Sequence, residues 1–224
     1  MRVITVGGGK VGTFIASHLV AEGHEVVVVE QSAERIEEVR DTAAARGVTW
    51  VAADGCEVDS LMRVKPETAD VVVAVTGDDE DNLVVSLLAK QEFGVPRVIA
   101  RVNDPDNEWM FNETWGVDVA VSTPHLLTSL VEKAVSVGSL VRLFSFEGDR
   151  VRLSEVTLAE DSPSIGVAIA DLGLPRDSTV VAVIRDDGVV VPRGDTALAV
   201  GDEVLLLVTG DSEQRVRERL LVGR

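Results

Sequence analysis

The chain has 224 residues, of which 38 are acidic and 21 are Lys or Arg, for a formal charge of −17 at pH 7. Nucleic acids and anionic membrane surfaces are bound by clustered cations, so this balance argues against both as partners. No apolar run approaches the ~18 residues a membrane span needs, and one cysteine, Cys56, allows no internal disulfide and fits a reducing compartment.

Residues 2–6, 25–30, 49–53, 70–75, 97–101 and 117–121 read as strands. Helical patterns at 11–22, 33–46, 79–93 and 106–115, with a short turn near 58–64, separate them. A strand that begins at residue 2 leaves no signal peptide to expect, and the expected location is the cytoplasm. Runs such as "VVVVE" and "DVVVAV" are continuous rather than alternating. Such strands are buried on both faces, as in a parallel sheet covered by helices. The alternation of strand and helix predicts a doubly wound, Rossmann-like α/β domain. From residue 126 to 137 an apolar helix follows, and then short alternating strands: "LVRLFSFE", "RVRLSEVTL", "TVVAVIR", "GVVVP" and "DEVLLLV". Turn residues punctuate them at Gly148-Asp149, Asp187-Gly188, Gly194-Asp195 and Gly201-Asp202. The expectation is a small α+β domain, with the boundary near 136–139 and domains at 1–137 and 138–224.

The first strand runs into "GGGKVG", which places Gly7, Gly9 and Gly12 in G-x-G-x-x-G spacing before a helix. Gly7 suits a tight turn, Gly9 a close approach of backbone to phosphate, and Gly12 close helix–sheet packing, while the helix N-terminus faces the anion. Glu30 ends the second strand, at the offset where a carboxylate can take both ribose hydroxyls of an adenosine. Gln31 and Ser32 follow it, with no adjacent Arg for a 2′-phosphate, which disfavours NADP. NAD, ATP and ADP all share the adenosine and diphosphate, and the motif does not separate them. Lys10 is either a solvated lysine or a charge over terminal phosphates. Asp54-Gly55, Thr76-Gly77 and Arg101 lie at strand ends on the edge where doubly wound folds bind ligands.

A hydride-transfer enzyme needs an acid or base at its substrate. The chain has no tyrosine, and of its three histidines His18 and His24 read as structural or solvent-facing, with His125 following Pro124. Cys56 reads as a loop residue, and no metal-ligand spacing occurs. In "GDDEDN", Asp78 suits a helix cap, and Asp79, Glu80 and Asp81 complement the helix dipole. Binding groups without an acid–base pair point to a sensor. An NAD-dependent oxidoreductase with a small substrate domain is the alternative; a redox-sensing DNA-binding regulator would need a basic helix-turn-helix, which is not found. Trp109, Met110 and Trp115 serve either core packing or a subunit contact, and Arg215, Arg217 and Arg219 read as a solvated face.

"VGGGKVG", "VVVVE", "AADGCEVDSL", "AVTGDDEDNLVVSLLAK" and "VIARVNDP" resemble the RCK domains of TrkA- and KtrA-type potassium uptake regulators, over essentially the whole chain. The resemblance implies a non-enzymatic regulatory subunit that binds ATP, ADP or NAD(H). It implies assembly into dimers and a ring, of this chain or with a paralogous one, docked on a TrkH- or KtrB-type membrane subunit. Carried over by position, Gly7, Gly8, Gly9, Lys10, Val11 and Gly12 would form the phosphate loop. Glu30 would hold the ribose, Asp54 and Cys56 would flank the adenine, Thr76 and Gly77 would border the crevice, and Arg101 would reach phosphates. Pro124-His125 stands where KtrA-type members often carry Pro-Glu, so no metal is expected there, and a cyclic dinucleotide is the family's suggestion for the second domain. The helix at 126–137 is expected at a subunit contact.

Overall fold

A computed structural model of the chain describes residues 1–135, 138–146, 150–186 and 188–222. Two compact units divide it, Met1–Pro124 and His125–Arg224.

In the first unit the strands are β1 (Arg2–Val6), β2 (Glu25–Glu30), β3 (Thr49–Ala52), β4 (Val71–Ala74), β5 (Arg97–Val102) and β6 (Val119–Ser122). They form one parallel sheet in the order β3-β2-β1-β4-β5-β6. The helices are α1 (Lys10–Ala21), α2 (Ala33–Arg40), α3 (Val58–Met62) and α4 (Asp79–Leu87). Successive strand residues point to opposite faces, and here both faces are apolar. Ile4, Val6, Val27, Val29, Val72 and Ala74 pack into one layer with Leu61, Leu83 and Val85. Their neighbours turn the other way: Val3 and Val73 pack with Ile15 and Leu19 of α1, and Val26 and Val28 pack with Ala16. The continuous valine runs are thus explained by burial on both sides.

Between β1 and β4 the strand order reverses direction. Chain connections leave these neighbouring strands toward opposite sides, which opens a crevice outside their carboxyl ends.

Two predicted helices are shorter or differently wound. The pattern at 33–46 gives α2 only to Arg40, followed by a 3-10 turn at Ala43–Ala45. Thr42 stops α2, its hydroxyl donating to the Val39 carbonyl at 2.6 Å and removing an acceptor the next turn would use. The pattern at 106–115 gives two 3-10 segments, Pro105–Met110 and Glu113–Trp115. The side chains of Asp104 and Asn112 accept backbone N–H groups two residues ahead, competing with α-helical bonding. Met110 and Trp115 pack against the core, whereas Trp109 remains 75% exposed.

The second unit begins within helix α5 (Thr123–Val135), of which residues 136–137 of the predicted helix lie outside the described residues. The division into two units falls after Pro124. An antiparallel sheet follows, in the order β10-β9-β11-β8-β7. Its strands are β7 (Leu140–Phe146), β8 (Val151–Thr157), β9 (Ser178–Arg185), β10 (Gly188–Val190) and β11 (Glu203–Thr209). The turns at Gly148-Asp149 and Asp187 fall outside the described residues. Along β11, Val204, Leu206 and Val208 are wholly buried, and Val216 of α6 (Glu213–Arg217) and Leu220 cover them. At the neighbouring turn Asp202 is wholly buried and paired with Arg185 at 2.7 Å. Burial alone would raise its carboxyl; the hydrogen bonds from Arg185 and from the Ala199 N–H outweigh that and hold it low.

Candidate functional site

The crevice at the carboxyl edge of the first sheet has a volume of about 410 Å³. Its floor and walls come from the loop after β1, the end of β2, the turn after β3, the turn after β4 and the end of β5. Sequence-distant residues therefore meet only because the six strands end in one row.

The glycine loop is shaped by the protein at some positions and not at others. Gly7 sits at φ +107°, and a Cβ there would lie 2.9 Å from the Thr76 nitrogen. At Gly12 a Cβ would stand 1.9 Å from the Gly7 carbonyl oxygen, so the first turn of α1 can approach the loop only without a side chain. Gly9 differs: its backbone is extended, and a Cβ there would meet nothing within 4 Å. α1 has no side-chain cap, leaving its first N–H groups open toward the crevice.

Glu30 closes the loop from the side. Its Oε2 accepts from the Gly8 N–H at 2.7 Å and its Oε1 from the Ser32 N–H at 2.9 Å. Asp54 is engaged in the same way, accepting from the Cys56 N–H at 2.8 Å and from the Gln31 side-chain amide at 3.1 Å. The Cys56 thiol lies 3.4 Å from an Asp81 oxygen. Burial and then the Asp81 charge push its pKa up to about 12, so the sulfur is a neutral thiol.

The far wall is organised by α4. Asp78 caps the helix, accepting from the Asp81 N–H at 3.1 Å. Asn82 is wholly buried; its oxygen accepts from the Thr76 N–H at 2.8 Å and its nitrogen donates to the Arg101 carbonyl at 2.9 Å. Asp79, only 4% exposed, accepts from the Asn103 N–H at 2.7 Å, the Asp104 N–H at 2.9 Å and the Asn107 side chain at 3.0 Å. Burial alone would raise this carboxyl; the hydrogen bonds outweigh it and hold its pKa below the usual aspartate range. Asp79 thus stands in the first turn of α4, as "GDDEDN" suggests, and is in addition a buried tether to the chain after β5.

Of the residues expected at the site, Gly7, Gly9, Lys10, Val11, Glu30, Asp54, Cys56, Thr76, Gly77 and Arg101 line the crevice together. Gly8 is buried behind the lining, and Gly12 beneath the loop. The structure adds Gln31, Arg35 and Asp81 to the lining. Arg35 lies in the first turn of α2, which Ser32 caps by accepting from its N–H at 3.2 Å. The predicted helix at 33–46 begins where α2 does, so the available signal is a cation in the first turn after Glu30. Lys10, Arg35 and Arg101 have no side-chain hydrogen-bond or ion-pair partner among the described residues, and the Arg101 Nε is buried with no acceptor. His18 and His125 are exposed, and His24 lies against the N-terminal amine at 3.3 Å. Among the described residues no group of His, Cys, Asp or Glu is placed to hold a metal ion.

A doubly wound sheet carrying a glycine loop, open helix N–H groups and uncompensated cations defines a Rossmann-type ligand-binding lobe, followed by a small antiparallel domain. The TrkA-N domain family matches residues 3–123, and the TrkA-C domain family matches residues 153–221. The Trk system potassium uptake protein TrkA of Mycobacterium tuberculosis is 45% identical over 221 residues, covering 99% of each chain. A TrkA homolog of Archaeoglobus fulgidus is 32% identical over 210 residues, 92% of this chain and 47% of that protein, so the chain spans about half of it. The GsuK channel bound to NAD shares the fold, with a TM-score of 0.67 at 18% identity over all of this chain and 39% of that one. The chain belongs to the TrkA family of potassium uptake proteins.

Proposed function

We propose that this chain is a cytoplasmic regulatory subunit of a Trk/Ktr-type potassium transporter, and that an adenine nucleotide in the crevice gates the assembly without being turned over. The observation that carries this reading is Arg101. A guanidinium nitrogen buried without an acceptor is costly, and a phosphate oxygen in the crevice would satisfy it. Lys10 and the open N–H groups of α1 add to the same end of the cleft. Gly9 supports it too, since nothing in the protein requires a glycine there and a close-lying diphosphate would.

In this reading Gly7 to Val11 with Arg101 hold the phosphates, with Gly8 and Gly12 setting the loop's shape from behind. Glu30 receives the ribose hydroxyls with the lone pairs left over from Gly8 and Ser32. Its charge disfavours a 2′-phosphate. Asp54 and Cys56 flank the base, and Thr76 and Gly77 border the pocket. ATP, ADP and NAD(H) all fit this chemistry; the relative of known fold was solved with NAD. The lining offers no neutral histidine, tyrosine or activated thiol for general acid–base or nucleophilic work, which favours sensing over catalysis.

The two domains serve as a nucleotide lobe and a smaller regulatory domain. The chain works as a homo-oligomer or in a ring with a paralogous RCK chain, docked on a TrkH/KtrB-type membrane subunit. Exposed Trp109, and the α5 residues Leu127, Leu130, Val131 and Val135 at helical spacing, provide apolar surface for such contacts. Among the described residues no helix is long and apolar enough to cross a membrane.

Thermal unfolding with ATP, ADP, NAD, NADH and NADPH at equal concentration tests the reading. A ligand at a hundred times its Kd adds about 2.7 kcal/mol, a shift of several degrees in a chain of this size. ATP, ADP or NADH should raise the Tm by that much and NADPH less. No shift from any nucleotide overturns the proposal, and consumption of NADH with small carbonyl compounds would return the oxidoreductase in its place.

A further inference from the structure

The nucleotide reading leaves open how Arg101 is held at the crevice, since its side chain contacts no acceptor. Its position must come from its backbone. The β4–β5 ladder ends at the pair Ala74 and Ala100, one residue before Arg101. Beyond that rung the Asn82 carboxamide takes over. Its oxygen accepts from the Thr76 N–H at 2.8 Å and from the Thr76 hydroxyl at 2.9 Å, and its nitrogen donates to the Arg101 carbonyl at 2.9 Å. With zero exposure, this one side chain joins the ends of β4 and β5 where pairing between those two strands has stopped, while on the other edge of β5 Arg101 still pairs with Val121 of β6. Asp79, one turn earlier on α4, takes the next two free N–H groups, those of Asn103 and Asp104.

We infer that Asn82 is the positioning residue for Arg101. It touches no ligand. It fixes the main chain from which the guanidinium reaches a nucleotide phosphate, and so sets how strongly the crevice holds a charged phosphate tail. This rests on the nucleotide reading above.

The experiment is a double-mutant cycle on the full chain, with ATP and ADP titrated calorimetrically into the unsubstituted protein, Asn82→Ala, Arg101→Gln and the double variant. A charge-assisted phosphate contact is worth about tenfold or more in affinity. Each single substitution should weaken ATP binding by about that factor, and Asn82→Ala should cost nothing further once Arg101 is Gln. Equal losses from Asn82→Ala with and without Arg101 overturn the inference, because the residue would then act on the fold at large. Should Asn82→Ala not fold, Asn82→Asp keeps an acceptor toward Thr76 but exchanges the donor to Arg101 for a charged oxygen that faces the Arg101 carbonyl, and is read by the same cycle. An Arg101→Gln chain that binds ATP as the unsubstituted one does overturns the inference without any variant at Asn82. If the unsubstituted chain binds neither ATP nor ADP, this inference fails, and the nucleotide reading fails with it when NAD and NADH do not bind either; binding with an additive cycle overturns this inference alone.

Discussion

The Glu30 carboxylate lies 2.7 Å from the Gly8 nitrogen, and the same carboxylate reaches the Ser32 N–H at 2.9 Å on its other oxygen. An acid placed at the end of a second strand thus acts first as a clasp on the glycine loop. Glu30→Gln replaces one of the two acceptors with an N–H that must face another N–H. The expected outcome is a loss of about 1–3 kcal/mol of stability without any ligand, read from the midpoint of urea unfolding. An unchanged midpoint would mean that the clasp contributes nothing to the folded loop.

Two glycines of the loop should respond in opposite ways. Gly12→Ala drives a methyl against the Gly7 carbonyl, 1.9 Å from its ideal position, and should cost on the order of 3 kcal/mol or abolish folding. Gly9→Ala adds a methyl to open space and should leave the Tm of the free protein within a degree or two. The thermal shift produced by ATP or ADP should nevertheless fall sharply in Gly9→Ala. A Gly9→Ala chain that keeps its full nucleotide shift would remove the phosphates from that side of the loop.

Asp79 should make the first unit acid-sensitive. Its folded pKa is below the ordinary aspartate value, so the unfolded chain binds its proton more readily. Its stabilising contribution is complete above the unfolded pKa near 4 and is lost as pH falls through the lower, folded value. Asp79→Asn should lower stability at pH 7 by about 2 kcal/mol and flatten the loss as pH falls below the ordinary aspartate value of about 4. Denaturation midpoints across that range check it; an equally steep loss in the variant would assign the acid sensitivity to other carboxylates.

Cys56 should resist alkylation. With its pKa at about 12 against an ordinary 9.0, the thiolate fraction at neutral pH is lower by roughly a thousandfold. Reaction with a maleimide or with Ellman's reagent in the folded protein should be slower than in the urea-unfolded chain by two orders of magnitude or more. Labelling at comparable rates in both states would show that neither burial nor Asp81 restrains the sulfur.

The parts of this architecture carried by local chemistry were legible in the sequence. Valine runs announced strands buried on both faces, and the spacing of Gly7, Gly9 and Gly12 announced the turn into α1. What the sequence does not display is a partner chosen across a long separation. Asn82 meets Arg101 nineteen residues away, and Asp79 meets Asn103 and Asp104. Only the folded row of strand ends brings these groups together, so the sequence shows a capped, acidic helix start and not the bonds it makes to β5 and the chain after it. Arg35 is hidden for a related reason: the start of its helix at residue 33 is legible, but that the first turn faces the crevice follows from the folded sheet edge. The helical pattern at 106–115 misled because Asp104 and Asn112 supply bonds that spacing rules do not count.

The acids of the crevice have a consequence for how the site answers its ligand. Glu30 and Asp54 already hold their donors, and Asn82 already joins the ends of β4 and β5, while Lys10, Arg35 and Arg101 have no side-chain partner among the described residues. The cleft is therefore shaped before anything enters it, and little of a ligand's affinity is consumed in building the site. On the proposed nucleotide reading, two ligands that share an adenosine would differ mainly in what they offer to Lys10 and Arg101. A difference confined to that end, undiluted by the cost of loop ordering, is the quantity that moves a balance between two arrangements of a larger assembly.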